Sequence, residues 1–117
     1  MKKKKQANIN ILVELDDNKI PEKLIWSAPD GGVRNKVSKA IFLSIWDHNN
    51  KESLSIDLWT KEMPVDEMDE FFYQSILTMS EAYFKATENY KIKDALKKFS
   101  KSLEKNLNVN KNKNKHS

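Results

Sequence analysis

The chain contains no cysteine, which excludes disulfides, zinc-thiolate sites, iron–sulfur clusters and thiol catalysis. Its only two glycines are adjacent, at Gly31 and Gly32, so neither common glycine-rich phosphate-binding loop is present. No apolar run approaches the roughly 18 residues that suggest a membrane span, and we expect no transmembrane segment. The basic start is followed by Asn8, Asn10 and Glu14 rather than by a continuous apolar segment, so we expect a cytoplasmic protein without a secretory signal.

Charge is divided along the chain. Residues 6–90 hold 8 basic and 15 acidic residues, whereas residues 91–117 hold 9 basic and 2 acidic ones, and residues 1–5 add four lysines. The body is therefore acidic and both ends are basic. This distribution argues against a basic nucleic-acid face on the folded part, so we expect no specific nucleic-acid partner.

The length of 117 residues predicts one domain with a modest core. We assign residues 7–107 to a single α+β domain. Residues 1–6 are expected to be a basic disordered N-terminus. Residues 108–117 are expected to be a disordered Asn/Lys-rich tail, because they offer too little apolar surface to offset the entropy of ordering them.

Alternating apolar and polar residues predict strands in the first half of the chain. Residues 7–15 alternate cleanly, with Ile9, Ile11 and Val13 on one side. Residues 23–28 predict a short second strand, which ends at the strong breaker Pro29-Asp30-Gly31-Gly32. The polar residues 33–39 are expected to form a loop or one helical turn.

Residues 39–47 and 52–60 predict a β-hairpin around the turn HNNK. If Asp47 faces Glu52, all the aliphatic residues of both strands fall on one face: Ile41, Leu43, Ile45, Leu54, Ile56 and Leu58. A shift of one residue would pair this row with polar residues, so the register is well specified. Together with the preceding strands, the hairpin predicts an antiparallel four-stranded sheet made of two hairpins.

From Pro64 the apolar spacing becomes that of a helix. One stripe runs from Val65 through Phe72 to Tyr83, and a second runs from Ile92 to Leu107 after a polar break at 87–89. Two C-terminal helices packed on one face of the sheet would bury the aliphatic row. The predicted fold is therefore a two-layer α+β domain.

The hairpin face opposite the aliphatic row combines large aromatic and small polar residues. Phe42, Trp46 and Trp59 lie on it, and Trp26 lies on the second predicted strand. If the helices cover only the aliphatic face, these residues form an exposed patch of the kind that binds a partner. The alternative is that the N-terminal strands or residues 29–39 fold over the aromatic rings and bury them.

Acidic residues cluster between Asp57 and Glu70, which raises the alternative of a metal or small-molecule site. However, Pro64 suits the first helical position, and Asp66 and Glu67 then fall in the first turn, where carboxylates interact favourably with the helix dipole. No histidine is within reach by sequence. We therefore assign no catalytic residue, no metal ligand and no cofactor, and we expect no enzyme activity.

Three segments, IPEKLIWSAPDGG, LSIWD and IDLWTKEMPVDEMDEFFYQSILTMSEAY, resemble the gliding-motility-associated GldC family of Bacteroidetes-type bacteria. The resemblance covers residues 7–107, and the IDLWTKEMPVDEM stretch is its most distinctive part. The MKKKK start and the Asn/Lys tail are longer and more basic than the family pattern.

The resemblance implies a small accessory protein of gliding motility, or of its associated secretion machinery, that is encoded alongside a motility lipoprotein. It supplies no catalytic or cofactor residue. The expected mode of action is protein–protein contact, either with a motility component or with a second copy of the chain. The alternative is a small-molecule or metal-binding domain that uses the acidic segment 57–70.

Overall fold

A computed structural model describes residues 4–107 and Val109. Its elements are five strands, β1 (Asn10–Leu15), β2 (Pro21–Ala28), β3 (Val33–Ser38), β4 (Ala40–Trp46) and β5 (Ser53–Trp59), followed by two helices, α1 (Val65–Thr87) and α2 (Tyr90–Asn106). The chain divides between Met63 and Pro64 into a strand unit and a helical unit. The α+β class is confirmed, with both helices at the C-terminal end.

The strands form two antiparallel sheets, so the prediction of one four-stranded sheet was wrong. In the part of the chain that is described, one sheet has the order β1-β2-β3 and the other consists of β4 and β5. The physical reason is the connection between β3 and β4, which is Lys39 alone. A single residue cannot reverse the chain, because a β-turn takes four, so β4 cannot form a hairpin with β3.

Strand β3 was not predicted, because the polar composition of residues 33–39 indicated a loop or one helical turn. It pairs with β2 through Leu24–Ser38 and Ile25–Val37, and a one-residue bulge follows Trp26. At the bulge Asn35 has φ of 47°, a left-handed conformation that asparagine tolerates well. The Ser27 hydroxyl accepts a hydrogen bond from the Asn35 N–H at 2.9 Å, which holds the bulged residue in place.

The β4–β5 hairpin has the predicted register. Ile41 faces Leu58, Leu43 faces Ile56, and Ile45 faces Leu54. The Asp47 N–H donates to the Glu52 carbonyl at 3.0 Å, and the Asp47 carboxylate accepts from the N–H groups of Asn49 and Asn50. The aspartate side chain thus satisfies the main-chain donors of the turn, as short polar turn residues commonly do.

The helical unit is an antiparallel pair of helices. Helix α1 begins one residue later than predicted, because Pro64 is its N-cap and not its first residue. Glu88 ends α1 in a left-handed conformation, and the Asn89 side chain accepts from the Ile92 N–H at 3.2 Å to start α2. Two residues therefore suffice to connect the helices.

Side chains join the two helices at both ends of the pair. The Tyr73 hydroxyl donates to the Glu104 carboxylate at 2.6 Å. Next to the connection, the rings of Phe84 and Tyr90 meet edge to face with 5.0 Å between centroids, and the Lys93 ammonium lies 4.2 Å from the centre of the Phe84 ring. The packing of these helices on the aliphatic face of a sheet stays a prediction.

The predicted boundaries 1–6, 7–107 and 108–117 stay predictions as well. Residues 4–6 lie outside helices and strands. Residues 1–3 and the tail, apart from Val109, lie outside the described residues. No described helix is both long and apolar enough to cross a membrane.

Candidate protein-interaction surface

The β4–β5 hairpin has two chemically different faces. Its aliphatic face consists of Ile41, Leu43, Ile45, Leu54, Ile56 and Leu58. Its aromatic face consists of Ala40, Phe42, Ser44 and Trp46 from β4, with Trp59, Asp57, Ser55 and Ser53 opposite them on β5. The division follows from the two-residue period of a strand, so both faces could be assigned from the sequence.

The base of the hairpin is anchored by hydrogen bonds. The Lys39 carbonyl accepts from the Thr60 N–H at 2.8 Å and from the Thr60 hydroxyl at 3.1 Å, and Thr60 itself is buried. Just beyond it, the Lys61 ammonium donates to the Asp16 carboxylate at 2.6 Å. The two bonds to Lys39 close the hairpin at its base, and the Lys61–Asp16 pair joins the hairpin to the turn between β1 and β2.

The Asp16–Lys61 pair is held by charge and hydrogen bonding together. The hydrogen bond from Lys61 lowers the pKa of Asp16, helped by the N–H groups of Ile20 and Asn18. The same hydrogen bond and the negative charge of Asp16 raise the pKa of Lys61. Both groups are therefore ionised across the physiological range.

Exposure increases from the base of the hairpin toward its turn. Ile41 and Leu58 at the base are half-buried, whereas Ile45, Leu54 and the mid-strand Ile56 are 51%, 52% and 52% exposed. The burial of this row by the helices stays a prediction. A two-stranded hairpin cannot bury both of its faces by itself, so the apolar side chains near the turn stay in contact with water.

The aromatic face is exposed at both ends. Trp46 is 68% exposed and lies next to the turn, while Trp59 is 53% exposed and lies at the base. Phe42, diagonal to Trp59, is 43% exposed. Between the aromatic residues, the hydroxyls of Ser44 and Ser55 are hydrogen-bonded at 3.2 Å.

Of the four predicted surface residues, three share one face. Phe42, Trp46 and Trp59 lie on the aromatic face of the hairpin. Trp26 lies in the other sheet, between Ile11 on β1 and Lys36 on β3, and is half-buried. The pattern did not single out Ile45, Leu54 and Ile56 as exposed; the available signal was that the hairpin is apolar on both faces.

The acidic segment 57–70 initiates helix α1. Asp66 and Glu67 occupy the first turn after Pro64, as predicted. Within residues 4–107 and Val109, no three histidine, aspartate or glutamate side chains are grouped so that they could hold a metal ion. Asp57 lies on β5 opposite Phe42, and not on the helix with the other carboxylates.

A cleft of about 620 Å³ lies between α1 and α2. Its lining includes apolar Leu77 and Leu96, three lysines and one carboxylate, Glu81, and it contains no histidine. The Lys93 ammonium lies over the Phe84 ring, inside this lining. The cleft contains none of the four predicted surface aromatics and assembles no acid–base pair.

Comparison with known protein families decides the relationship that the residues suggested. The model of the family described as "Gliding motility-associated protein GldC-like" matches residues 21–109. The chain belongs to the GldC-like family. The matched region begins at β2 and includes the whole hairpin and both helices, so the candidate surface lies inside it. No curated protein and no solved structure shows significant similarity to the chain.

Proposed function

We propose that this protein is a non-enzymatic accessory protein of bacterial gliding motility, or of the associated secretion machinery, and that it acts in the cytoplasm through protein contacts. Membership of the GldC-like family supports the link to motility. The hairpin supports the mode of action, because it combines exposed aromatic and aliphatic side chains on an anchored base.

The observation that carries the proposal is the exposure of Trp46. An indole is the side chain that most often anchors a protein interface, because it offers a large rigid area and loses little entropy on binding. Trp46 is 68% exposed on the aromatic face, where Trp59 and Phe42 are also exposed, at 53% and 43%. Leaving this group of side chains in water is unfavourable, and a partner that covers them gains the transfer free energy of that area.

The alternative function as a metal or small-molecule binder would use the acidic segment. The dipole of α1 accounts for Asp66 and Glu67 without a ligand, since both lie in its first turn. The proposal therefore assigns no metal and no cofactor to the segment 57–70.

The test uses a gliding bacterium whose chromosome encodes this protein, and the gene is deleted. A deletion strain is complemented with the wild type, with Trp46→Ser, or with Tyr90→Ser, and colony spreading and single-cell gliding speed are measured at equal protein levels. Tyr90 is the matched control because it is an aromatic residue of similar exposure, 66%, outside the hairpin; equal protein levels show that loss of its contact with Phe84 has not unfolded the variant.

We expect the deletion to reduce spreading, Trp46→Ser to behave like the deletion, and Tyr90→Ser to restore motility. Unchanged spreading in the deletion strain would contradict the role in motility. Full restoration by Trp46→Ser would contradict the hairpin as the contact surface.

A further inference from the structure

Strand β4 is an edge strand without the usual protection against pairing. Among the described residues, the edge strands are β1 and β3 of one sheet and β4 and β5 of the other. Natural edges commonly carry charged residues that prevent another strand from adding to them. Glu14 is on β1, Arg34 and Lys36 are on β3, and Asp57 is on β5, whereas β4, with the sequence AIFLSIW, carries no charge and no proline.

The hydrogen-bond pattern shows which main-chain groups of β4 face its outer edge. The Asp47 N–H donates to Glu52, and the Lys39 carbonyl accepts from Thr60, so the odd-numbered residues of this strand point their main-chain groups toward β5. In an antiparallel ladder the alternate residues point the other way. The main-chain groups of the even-numbered residues, from Ala40 to Trp46, are therefore directed to the edge.

We propose that β4 pairs with β4 of a second copy of this chain, antiparallel and centred on Leu43, to form a four-stranded sheet in the order β5-β4-β4-β5. This proposal rests on the proposed function in taking the hairpin as the contact surface, and it names the partner. Centring on Leu43 puts Phe42 opposite Ser44 and Ala40 opposite Trp46 of the second copy. These are the edge-directed residues, so the register agrees with the hydrogen-bond pattern.

Side-chain size and charge support the same register. On the aromatic face, the large Trp46 meets the small Ala40 of the second copy. On the aliphatic face, Ile41 meets Ile45, and Leu43 meets itself, which extends one apolar row across the interface. At each end, Lys39 lies opposite Asp47 of the second copy, so the strand is complementary to itself in charge.

The edge of β5 is a poorer match to itself. Pairing two copies of β5 around Ile56 would place Asp57 opposite Ser55 and bring the two Asp57 carboxylates into diagonal contact on one face. Like charges in that arrangement repel each other. The self-pairing edge is therefore β4, and a two-stranded sheet that is marginal by itself gains two further strands.

The first test uses a matched pair of lysine variants. Ser44 and Ser55 face each other and share one hydrogen bond, so Ser44→Lys and Ser55→Lys lose the same contact and add the same charge, but on opposite edges. The measurement is sedimentation equilibrium of the full chain over a range of concentrations. We expect the wild type to change from 13.7 kDa to twice that mass as its concentration rises.

We expect Ser44→Lys to raise the dimer dissociation constant by about tenfold or more, and Ser55→Lys to leave it within about twofold. Circular dichroism and thermal melting of both variants show whether either one has lost its fold. A wild type that stays at 13.7 kDa throughout would overturn the proposal, as would two variants that weaken the dimer equally.

The second test fixes the register by cross-linking. The chain has no cysteine, so a single introduced thiol can form only an intermolecular disulfide. In the proposed register the two Leu43 residues form a non-hydrogen-bonded pair with Cα atoms about 4.5 Å apart, which is within disulfide range. Under mild oxidation Leu43→Cys should therefore cross-link rapidly, and Ile56→Cys, on the neighbouring strand, should not.

Equal cross-linking at both positions, or faster cross-linking at Ile56→Cys, would overturn the pairing through β4. Failure of this proposal is distinguishable from failure of the proposed function. A monomeric wild type whose deletion still impairs gliding, and whose Trp46→Ser variant does not restore it, rejects self-pairing and retains the hairpin as a surface for another protein.

Discussion

The hydrogen bond between Tyr73 and Glu104 gives the most quantitative prediction for the helical unit. Tyr73 is 3% exposed, and its hydroxyl donates to the half-buried Glu104 carboxylate at 2.6 Å. The substitution Tyr73→Phe keeps the ring and removes only the donor. Because hydrogen bonds to charged groups contribute about 1.5–3 kcal/mol, we expect the free energy of unfolding at pH 7 to fall by about 2 kcal/mol.

The same contact makes the stability depend on pH. Burial, followed by the hydrogen bond and the negative charge of Glu104, raises the pKa of Tyr73 from 10.0 to about 12. The folded state holds the Tyr73 proton more tightly than the unfolded state does. The contribution of the protonated hydroxyl to the free energy of unfolding is therefore complete below pH 10 and is lost as the pH rises toward 12. Between pH 10 and 12 the free energy of unfolding falls by about 1.4 kcal/mol per pH unit, or by roughly 3 kcal/mol in total.

The assay is urea unfolding of the wild type and Tyr73→Phe, followed by helical circular dichroism between pH 7 and 11. The stability difference between them should be constant up to pH 10 and then shrink, because only the wild type has this phenol. Tyr83→Phe is the control on the same helix; Tyr83 is 41% exposed, and its substitution should change stability by less than about 0.5 kcal/mol. A Tyr73→Phe variant as stable as the wild type, or a difference that grows above pH 10, would refute the reasoning.

The remaining predictions concern the strand unit and the acidic segment. Hydrogen bonding lowers the pKa of Asp16 below 3.8, so its stabilising contribution is present above that pH and is lost as the pH falls through the lowered value. The assay is acid unfolding followed by tryptophan fluorescence. Its pH dependence should be partly lost in Asp16→Asn but not in the control Asp30→Asn, which changes an exposed carboxylate. Equal unfolding curves for the two variants would contradict the role of Asp16. We expect millimolar calcium, magnesium or manganese to leave the melting temperature unchanged. An ion that bound the native state at the acidic segment would raise the melting temperature by mass action. A saturable rise in the melting temperature that is absent in Asp66→Asn would instead support the metal-binding alternative.

The hairpin shows what a sequence pattern can determine. Its register was predicted correctly residue by residue, because a strand has a period of two and a slip of one would exchange the aliphatic and aromatic faces. The helices were predicted to within one residue at Pro64, and the break at Thr87–Asn89 was located, because helical periodicity and capping chemistry are local.

Strand β3 shows what the pattern could not determine. Only Val33 and Val37 are apolar in it, because it is an edge strand whose ladder depends on β2 and on a bulge at Asn35. Because β3 extends to Ser38, only Lys39 connects it to β4. This connection is too short for a hairpin between β3 and β4, and β4 pairs with β5 in a second sheet. A missed polar strand therefore changed the sheet topology, although each apolar strand had been recognised.

The candidate surface was predictable in part for the same reason. Parity placed Phe42, Trp46 and Trp59 on one face, but exposure depends on which other parts of the chain approach that face, and no local pattern encodes this. The exposure of Ile45, Leu54 and Ile56 follows from the separation of the sheets, which the sequence-based prediction lacked.

The claim that the protein acts through its hairpin is tested most directly by photo-cross-linking in the cell. A photoreactive phenylalanine analogue replaces Trp46 in one strain and Tyr90 in another, two positions of similar exposure, 68% and 66%. Irradiation followed by mass spectrometry should give a discrete cross-linked product at position 46, either with a second copy or with a motility component, and none at position 90. Absence of a product at 46, or the same products at both positions, would contradict the account.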